Sequence, residues 1–106
     1  MRKSHKTQPK RTLRQYSGIC HRIARKKGFW DRPRNTAEML MLTVSELAEA
    51  MEADRKNDAA GFREEIADTF IRLFDICGGL GIDIESEIEK KRIKNMARPY
   101  KHGKKY

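Results

Sequence analysis

The chain has 106 residues, which is enough for one domain with a small core, and its 24 Lys/Arg against 15 Asp/Glu give a net charge of +9. No apolar run approaches the roughly 18 residues that a membrane span requires, and no apolar segment follows the basic N-terminus. The composition therefore predicts a soluble cytoplasmic protein, and a domain of this size is commonly stabilised by self-association.

Charge is segregated along the sequence. Residues 1–30 carry ten Lys/Arg and no acid, residues 31–89 have a net charge of −9, and residues 90–106 carry eight Lys/Arg and no acid. An acidic centre between basic ends suits a polyphosphate bound through divalent cations, because carboxylates hold the cations and Lys/Arg meet the phosphate oxygens. It is less typical of a nucleic-acid-binding face, which is basic throughout.

The first half of the chain predicts an arm and two helices. Residues 1–10 lack apolar content and predict a flexible basic arm. Apolar residues at a helical period then predict a helix over 12–27, which Gly28 ends. Asn35 is a suitable N-cap for a second helix, whose apolar side continues to Lys56.

The second half predicts two more helices. A third helix over 62–77 is expected to stop at the glycines of 78–81. Asp83 is a suitable N-cap for a fourth helix over 84–95. A proline then prevents much continuation, so that residues 99–106 form a basic tail.

The predicted organisation is all-α, with no strand. One helical domain over residues 11–98 lies between the basic arm and the basic tail. Its helices are short and amphipathic, which is typical of small bundles.

Two pairs of acids lie within the second and third predicted helices: Glu46 with Glu49, and Glu65 with Asp68. Spacing of three places each pair on one helical face, and antiparallel helices would bring the four carboxylates together. A hard divalent cation is the usual reason for such convergence, and the absence of His from both pairs favours Mg²⁺ or Mn²⁺ over softer metals. The spacing alone is not specific, and a solvated charged face is the alternative.

Further features accompany the acid pairs in chain order: His21, Lys27-Gly28-Phe29-Trp30, Gly81-Ile82-Asp83 and Lys91-x-x-x-Asn95-x-x-Arg98. Together with the acids, over about residues 16–104, they resemble the MazG-type all-α nucleoside triphosphate pyrophosphohydrolases. The signature of that family is Glu-x-x-Glu followed on the next helix by Glu-x-x-Asp. The aromatic segment and the histidine resemble the branch that includes dCTP pyrophosphatases. The loop between the acid-bearing helices lacks the second aromatic of that branch, which leaves base specificity open.

The resemblance implies a four-helix MazG-like bundle completed by oligomerisation, as a homodimer or a homotetramer. It implies a Mg²⁺-dependent enzyme, with Mn²⁺ as the alternative ion, acting in nucleotide-pool house-cleaning. Such an enzyme cleaves a nucleoside triphosphate between the α and β phosphates and releases nucleoside monophosphate and pyrophosphate. The metal ligands would be Glu46, Glu49, Glu65 and Asp68. Glu46 or Glu49 would also orient or deprotonate the attacking water.

The resemblance also implies five substrate-binding residues: His21, Trp30, Lys91, Asn95 and Arg98. Trp30 would stack on the base and His21 would hydrogen-bond to it, whereas packing within the protein is the alternative for both. Lys91, Asn95 and Arg98 lie on one face of the last predicted helix. They would meet the leaving pyrophosphate or else form a solvated helix end.

Two other functions are compatible with the sequence. A small basic nucleic-acid-binding protein would use the cations of the first helix, and its affinity would depend strongly on salt. A MazG-like nucleotide sensor without catalysis would bind nucleotide with Mg²⁺ and release no pyrophosphate.

Overall fold

The computed structural model describes residues 10–106, so that the predicted basic arm lies outside the described residues except for Lys10. The described residues form four α-helices and a short 3-10 helix and contain no strand, which confirms the predicted all-α class. The helices are α1 (Leu13–Lys26), α2 (Thr36–Arg55), α3 (Ala59–Leu80) and α4 (Ile84–Met96), followed by the 3-10 helix Tyr100–Gly103. Within this part of the chain, none of the helices has the length and apolar content that a membrane crossing demands.

Side-chain caps fix where the helices begin. Thr12 starts α1 with a capping box, because its Oγ1 accepts from the Gln15 backbone N–H and Gln15 Oε1 accepts from the Thr12 N–H. The side chains of Asn35, Asp58 and Asp83 cap α2, α3 and α4, each accepting from the backbone N–H three residues later. The N-caps predicted at Asn35 and Asp83 are therefore confirmed.

A connection of three residues, 56–58, joins α2 to α3. Asn57 adopts the left-handed conformation with φ of 56°, which asparagine tolerates better than most residues, and α2 ends just before it. Because the connection is this short, α2 and α3 run antiparallel and pack against each other, while α1 packs against α3. Residues on facing sides of α2 and α3 are thereby brought together.

The course of α3 differs from the prediction, because the helix passes through Gly78 and Gly79. A Cβ at Gly78 would lie 2.6 Å from His21 Cβ, and a Cβ at Gly79 would overlap the Trp30 ring. The helix ends at Gly81, whose φ of 69° lies in the left-handed region. The first two glycines thus permit close contact instead of ending the helix.

Polar contacts attach α4 to the start of α1. Arg14 Nη2 donates to Asp83 Oδ2 over 2.8 Å, and Arg14 Nη1 lies 3.1 Å from Glu85 Oε2. The backbone N–H of Leu13 donates to Glu85 Oε1 over 3.1 Å. The hydrogen bond from Arg14 lowers the pKa of Asp83. Because these side chains are largely exposed, they orient α4 more than they stabilise it.

The core of the described chain is small. Within residues 10–106, the buried hydrophobic residues are Met39, Ala50, Ile76 and Cys77. Large apolar side chains remain exposed along α2 and α3: Leu40, Met41, Val44, Leu47, Met51, Phe70, Ile71 and Leu73. Apolar surface on this scale is typical of proteins that associate with a partner.

Candidate functional site

Three carboxylates converge where α2 faces α3. One oxygen each from Glu46, Glu49 and Glu65 lies within 4.8 Å of the others, and we call these three residues the acidic cluster. Glu46 and Glu49 stand one turn apart on α2, and Glu65 comes from α3. Asp68, one turn after Glu65, lies outside this group of three but lines a cleft together with Glu46. The structure thus brings together three of the four acids in the predicted quartet and places the fourth beside them.

The pKa values of two carboxyls in the acidic cluster, those of Glu65 and Glu46, are raised. The pKa of Glu65 is raised to about 7, first because a hydrogen bond shared with Glu49 favours the protonated carboxyl, and then because of desolvation and nearby negative charge. Burial raises the pKa of Glu46, and the neighbouring carboxylates of Glu49 and Asp68 act in the same direction. Both shifts follow in part from carboxylates that lie close together where α2 faces α3.

One oxygen of the cluster lacks a partner. Glu65 Oε2 is buried and has no hydrogen-bond partner within residues 10–106. A buried acceptor in this state is costly, and either a proton shared with Glu49 or a cation in the cluster would satisfy it. The donor atoms of the cluster are all carboxylate oxygens, which suit the hard cations Mg²⁺ and Mn²⁺. The residues present therefore fit a hard divalent cation.

A cleft of about 260 Å³ opens between α1, α2 and α3 beside the acidic cluster. Its lining contains three acidic and three basic side chains: Glu46, Asp68, Asp75, Lys27, Arg34 and Arg72. Phe29 and Ile71 add apolar surface to the same lining. Apolar walls with a few charged groups are typical of small-molecule sites. This cleft could hold an anionic ligand with a flat apolar part.

Asp75, which the sequence patterns do not single out, connects this cleft to His21 and Trp30. Its buried carboxylate accepts a hydrogen bond from Trp30 Nε1–H over 2.9 Å and lies 3.0 Å from His21 Nδ1. Arg34 Nη1 lies 3.4 Å from the second carboxylate oxygen, and its guanidinium lies over the Trp30 ring at 5.1 Å. Polar atoms of both predicted base-binding residues are thus engaged within the chain, as expected from the alternative role in packing.

The sequence does contain a signal for Asp75, although the apolar periodicity of the helix does not identify this residue. Asp75 stands between Phe74 and Ile76 in an apolar stretch of α3, a position where a charge is tolerated only when it is paired. Its partner Arg34 is 41 residues away, so that no local pattern reveals the pair.

Of the three predicted phosphate-binding residues, Lys91 and Asn95 lie on α4, whereas Arg98 follows the end of that helix at Met96, so that the three do not share one helical face as predicted. Lys91 and Asn95 border an open pocket formed by α4 alone. Arg98 Nη1 lies 2.8 Å from His102 Nδ1 in the 3-10 helix. Within residues 10–106 of one chain, these three do not line the cleft beside the acidic cluster. Contact between them and a phosphate in that cleft remains a prediction.

Comparison with known proteins gives no match: no protein-family model, no curated protein and no solved structure matches this chain. The acidic cluster and its cleft are therefore the structural basis for a functional proposal.

Proposed function

We propose that this chain is a Mg²⁺-dependent nucleoside triphosphate pyrophosphohydrolase of the MazG type. The observation that carries the proposal is the acidic cluster, in which three carboxylates from two helices lie within 4.8 Å and one buried oxygen has no partner within residues 10–106. Such a cluster is unfavourable without a cation, because like charges repel, and it is the kind of site that cation-assisted phosphoryl chemistry requires. The resemblance of the acid pairs to the MazG signature supplies the substrate class.

The proposed reaction is hydrolysis between the α and β phosphates. Water attacks the α-phosphorus, the bond from that phosphorus to the bridging oxygen breaks, and pyrophosphate leaves with the bridging oxygen. Mg²⁺ neutralises phosphate charge when bound. Its ligands would be Glu46, Glu49, Glu65 and Asp68. Glu46 or Glu49 orients the water and accepts its proton, and Glu46 is well placed because it belongs to both the cluster and the cleft lining.

The cleft supplies the other requirements of a nucleotide site. Lys27, Arg34 and Arg72 bring positive charge that can meet phosphate oxygens. Phe29 and Ile71 offer apolar surface to the base. In this proposal the acidic and basic side chains that line the cleft form the two halves of the site, and Lys91, Asn95 and Arg98 would add to it from a second subunit.

We also infer that the chain works as a homodimer or a homotetramer. Apolar side chains along α2 and α3 are exposed, and only four hydrophobic residues are buried within residues 10–106. A second copy packed along these two helices would complete a four-helix bundle. Sedimentation equilibrium at micromolar concentration should detect the oligomer, and a monomer under these conditions would contradict this inference.

A panel of canonical and modified ribo- and deoxynucleoside triphosphates tests the activity. With Mg²⁺, we expect nucleoside monophosphate and pyrophosphate in equal amounts, and EDTA should abolish both. A preference for modified nucleotides would support the house-cleaning role. Release of orthophosphate and nucleoside diphosphate would refute the proposed bond cleavage. Binding of triphosphate without any turnover would instead support the sensor.

A further inference from the structure

Arg72 brings a positive charge to the edge of the acidic cluster. It lies on α3 one turn after Asp68, and its Nε is 3.7 Å from Glu46 Oε2. Arg72, Glu46 and Asp68 all line the cleft of about 260 Å³. The guanidinium is therefore adjacent to the proposed cation site and to the proposed substrate cleft at once.

The contact with Glu46 leaves Arg72 with an unused donor. At 3.7 Å the two charged groups attract each other but form no hydrogen bond. Arg72 Nε is buried and has no hydrogen-bond partner within residues 10–106. The cleft cation Arg34 differs, since it contacts Asp75 at 3.4 Å and lies over the ring of Trp30. Of these two arginines, Arg72 is the one with a buried donor that the described chain does not satisfy.

The charge around Arg72 favours Glu46 as its partner when no cation is bound and a phosphate oxygen when a cation is bound. Without a bound cation, the Arg72 guanidinium is a positive charge beside Glu46, whose neighbours in the acidic cluster are the carboxylates of Glu49 and Glu65. A divalent cation in the acidic cluster would supply this positive charge and repel the guanidinium. Phosphate oxygens in the cleft would then offer it strong, bidentate hydrogen bonds.

We propose that Arg72 is a substrate-binding residue that neutralises Glu46 in the free protein and binds a phosphate oxygen once a divalent cation occupies the acidic cluster. The inference rests on the proposed function, because it takes a polyphosphate as the ligand. It predicts that a bound cation raises the affinity for the triphosphate, and that bound triphosphate raises the affinity for the cation. Part of this coupling comes from Arg72, because its move from Glu46 to a phosphate oxygen favours the binding of both ligands. A purely structural ion pair would give no such dependence on Arg72.

The test measures two dissociation constants with the full chain. The first is for Mn²⁺ alone, followed by electron paramagnetic resonance of the free ion. The second is for a nucleoside triphosphate with a methylene bridge between its α and β phosphates, followed by calorimetry with Mn²⁺ present. The variants are Arg72→Gln and Arg72→Lys. The matched control is Arg55→Gln, which removes an exposed arginine paired with Glu52 on α2.

Arg72→Gln should weaken binding of the analogue by about 10- to 100-fold, the loss expected for a charge-assisted hydrogen bond. The same variant should bind Mn²⁺ alone at least as tightly as the wild type, because a competing positive charge is gone. Arg72→Lys should recover part of the analogue affinity, since it keeps the charge but not the bidentate geometry. Arg55→Gln should change neither constant.

Equal analogue affinity in the wild type and Arg72→Gln would overturn the proposal. Weaker Mn²⁺ binding by Arg72→Gln would also overturn it, because the arginine would then position Glu46 instead of binding substrate. If the glutamine variant does not fold, Arg72→Lys decides between the same outcomes. If only the proposed function fails, the wild type would bind Mn²⁺ and the analogue but release no pyrophosphate. The two dissociation constants would then still test the role of Arg72. A wild type that binds no analogue would overturn both.

Discussion

The indole of Trp30 lies against α3 at Gly79, where it occupies the space that a Cβ would need. The ring is held there because its Nε1–H donates to Asp75, one turn earlier on the same helix. This contact fixes the connection between α1 and α2 on the surface of α3. Phe29 and Arg34 belong to that connection, so their positions in the cleft lining depend on it.

Gly79→Ala is expected to lower the free energy of unfolding by roughly 1–3 kcal/mol, because the new methyl group would overlap the Trp30 ring. Gly18→Ala is the matched control. Nothing lies within 4 Å of a Cβ at Gly18 inside α1, so this variant should gain about 0.5–1 kcal/mol from helix propensity. Urea unfolding followed by circular dichroism measures both. Similar effects of the two substitutions would contradict the close contact.

Asp75→Asn is expected to lower the free energy of unfolding by about 2–4 kcal/mol. The substitution leaves the largely buried guanidinium of Arg34 without its counter-charge and alters the hydrogen bonds of His21 and Trp30. The single tryptophan allows unfolding in urea to be followed by fluorescence at this very site. Asp54→Asn, an exposed acid near the end of α2, should change stability by less than about 0.5 kcal/mol. Equal stability of the two variants would show that Asp75 does not hold these elements together.

Helix positions could be predicted from the sequence because apolar periodicity and cap residues are local signals. Asn35 and Asp83 act as the predicted caps. The end of α3 could not be predicted in this way. Gly78 and Gly79 have low helix propensity, but their missing side chains admit a histidine and a tryptophan from distant parts of the chain. Tertiary contact therefore outweighs propensity at these two positions.

Only those parts of the site that depend on the spacing of residues within a helix could be predicted from the sequence. Spacing of three and a short connection are enough to bring acids of α2 and α3 near each other. Their distances depend on the rotation of each helix about its axis, which spacing does not fix, and Asp68 accordingly lies outside the closest group. The contact between Asp75 and Arg34 depends on how the connection folds back onto α3, which no local pattern encodes.

Glu49→Gln and Glu65→Gln are each expected to reduce Mg²⁺-dependent pyrophosphate release by at least about 100-fold, because each removes an anionic oxygen from the cation site. Mn²⁺ binding to the substrate-free chain should weaken in parallel, with helicity by circular dichroism unchanged. Asp68→Asn should weaken Mn²⁺ binding less, since Asp68 lies outside the acidic cluster. Glu52→Gln, exposed and one turn beyond Glu49, is the matched control and should retain both properties. Full Mn²⁺ affinity and turnover in a variant would remove that carboxylate from the site.

Without divalent cations, the stability of the chain is expected to fall as the pH rises from about 4.5 to about 7. The pKa of Glu65 is raised to about 7 in the folded chain from an ordinary value of 4.5. Over this window the folded carboxyl keeps a proton that the unfolded carboxyl has released. Unfolding therefore releases a proton, so a rise in pH favours the unfolded state.

Thermal unfolding in EDTA at pH 4.5, 5.5 and 7.5 checks this dependence by comparing the wild type with Glu65→Gln. The variant lacks the titrating group, so its Tm should rise relative to that of the wild type as the pH increases. Addition of Mg²⁺ at pH 7.5 should raise the Tm of the wild type more than that of the variant, because the ionised carboxylate is the form that binds a cation. A difference in Tm that stays constant across this pH range would show that Glu65 ionises near its ordinary pKa. In that case the proposed proton sharing between Glu65 and Glu49 would be wrong, and the case for a cation would rest on the convergence of the three carboxylates alone.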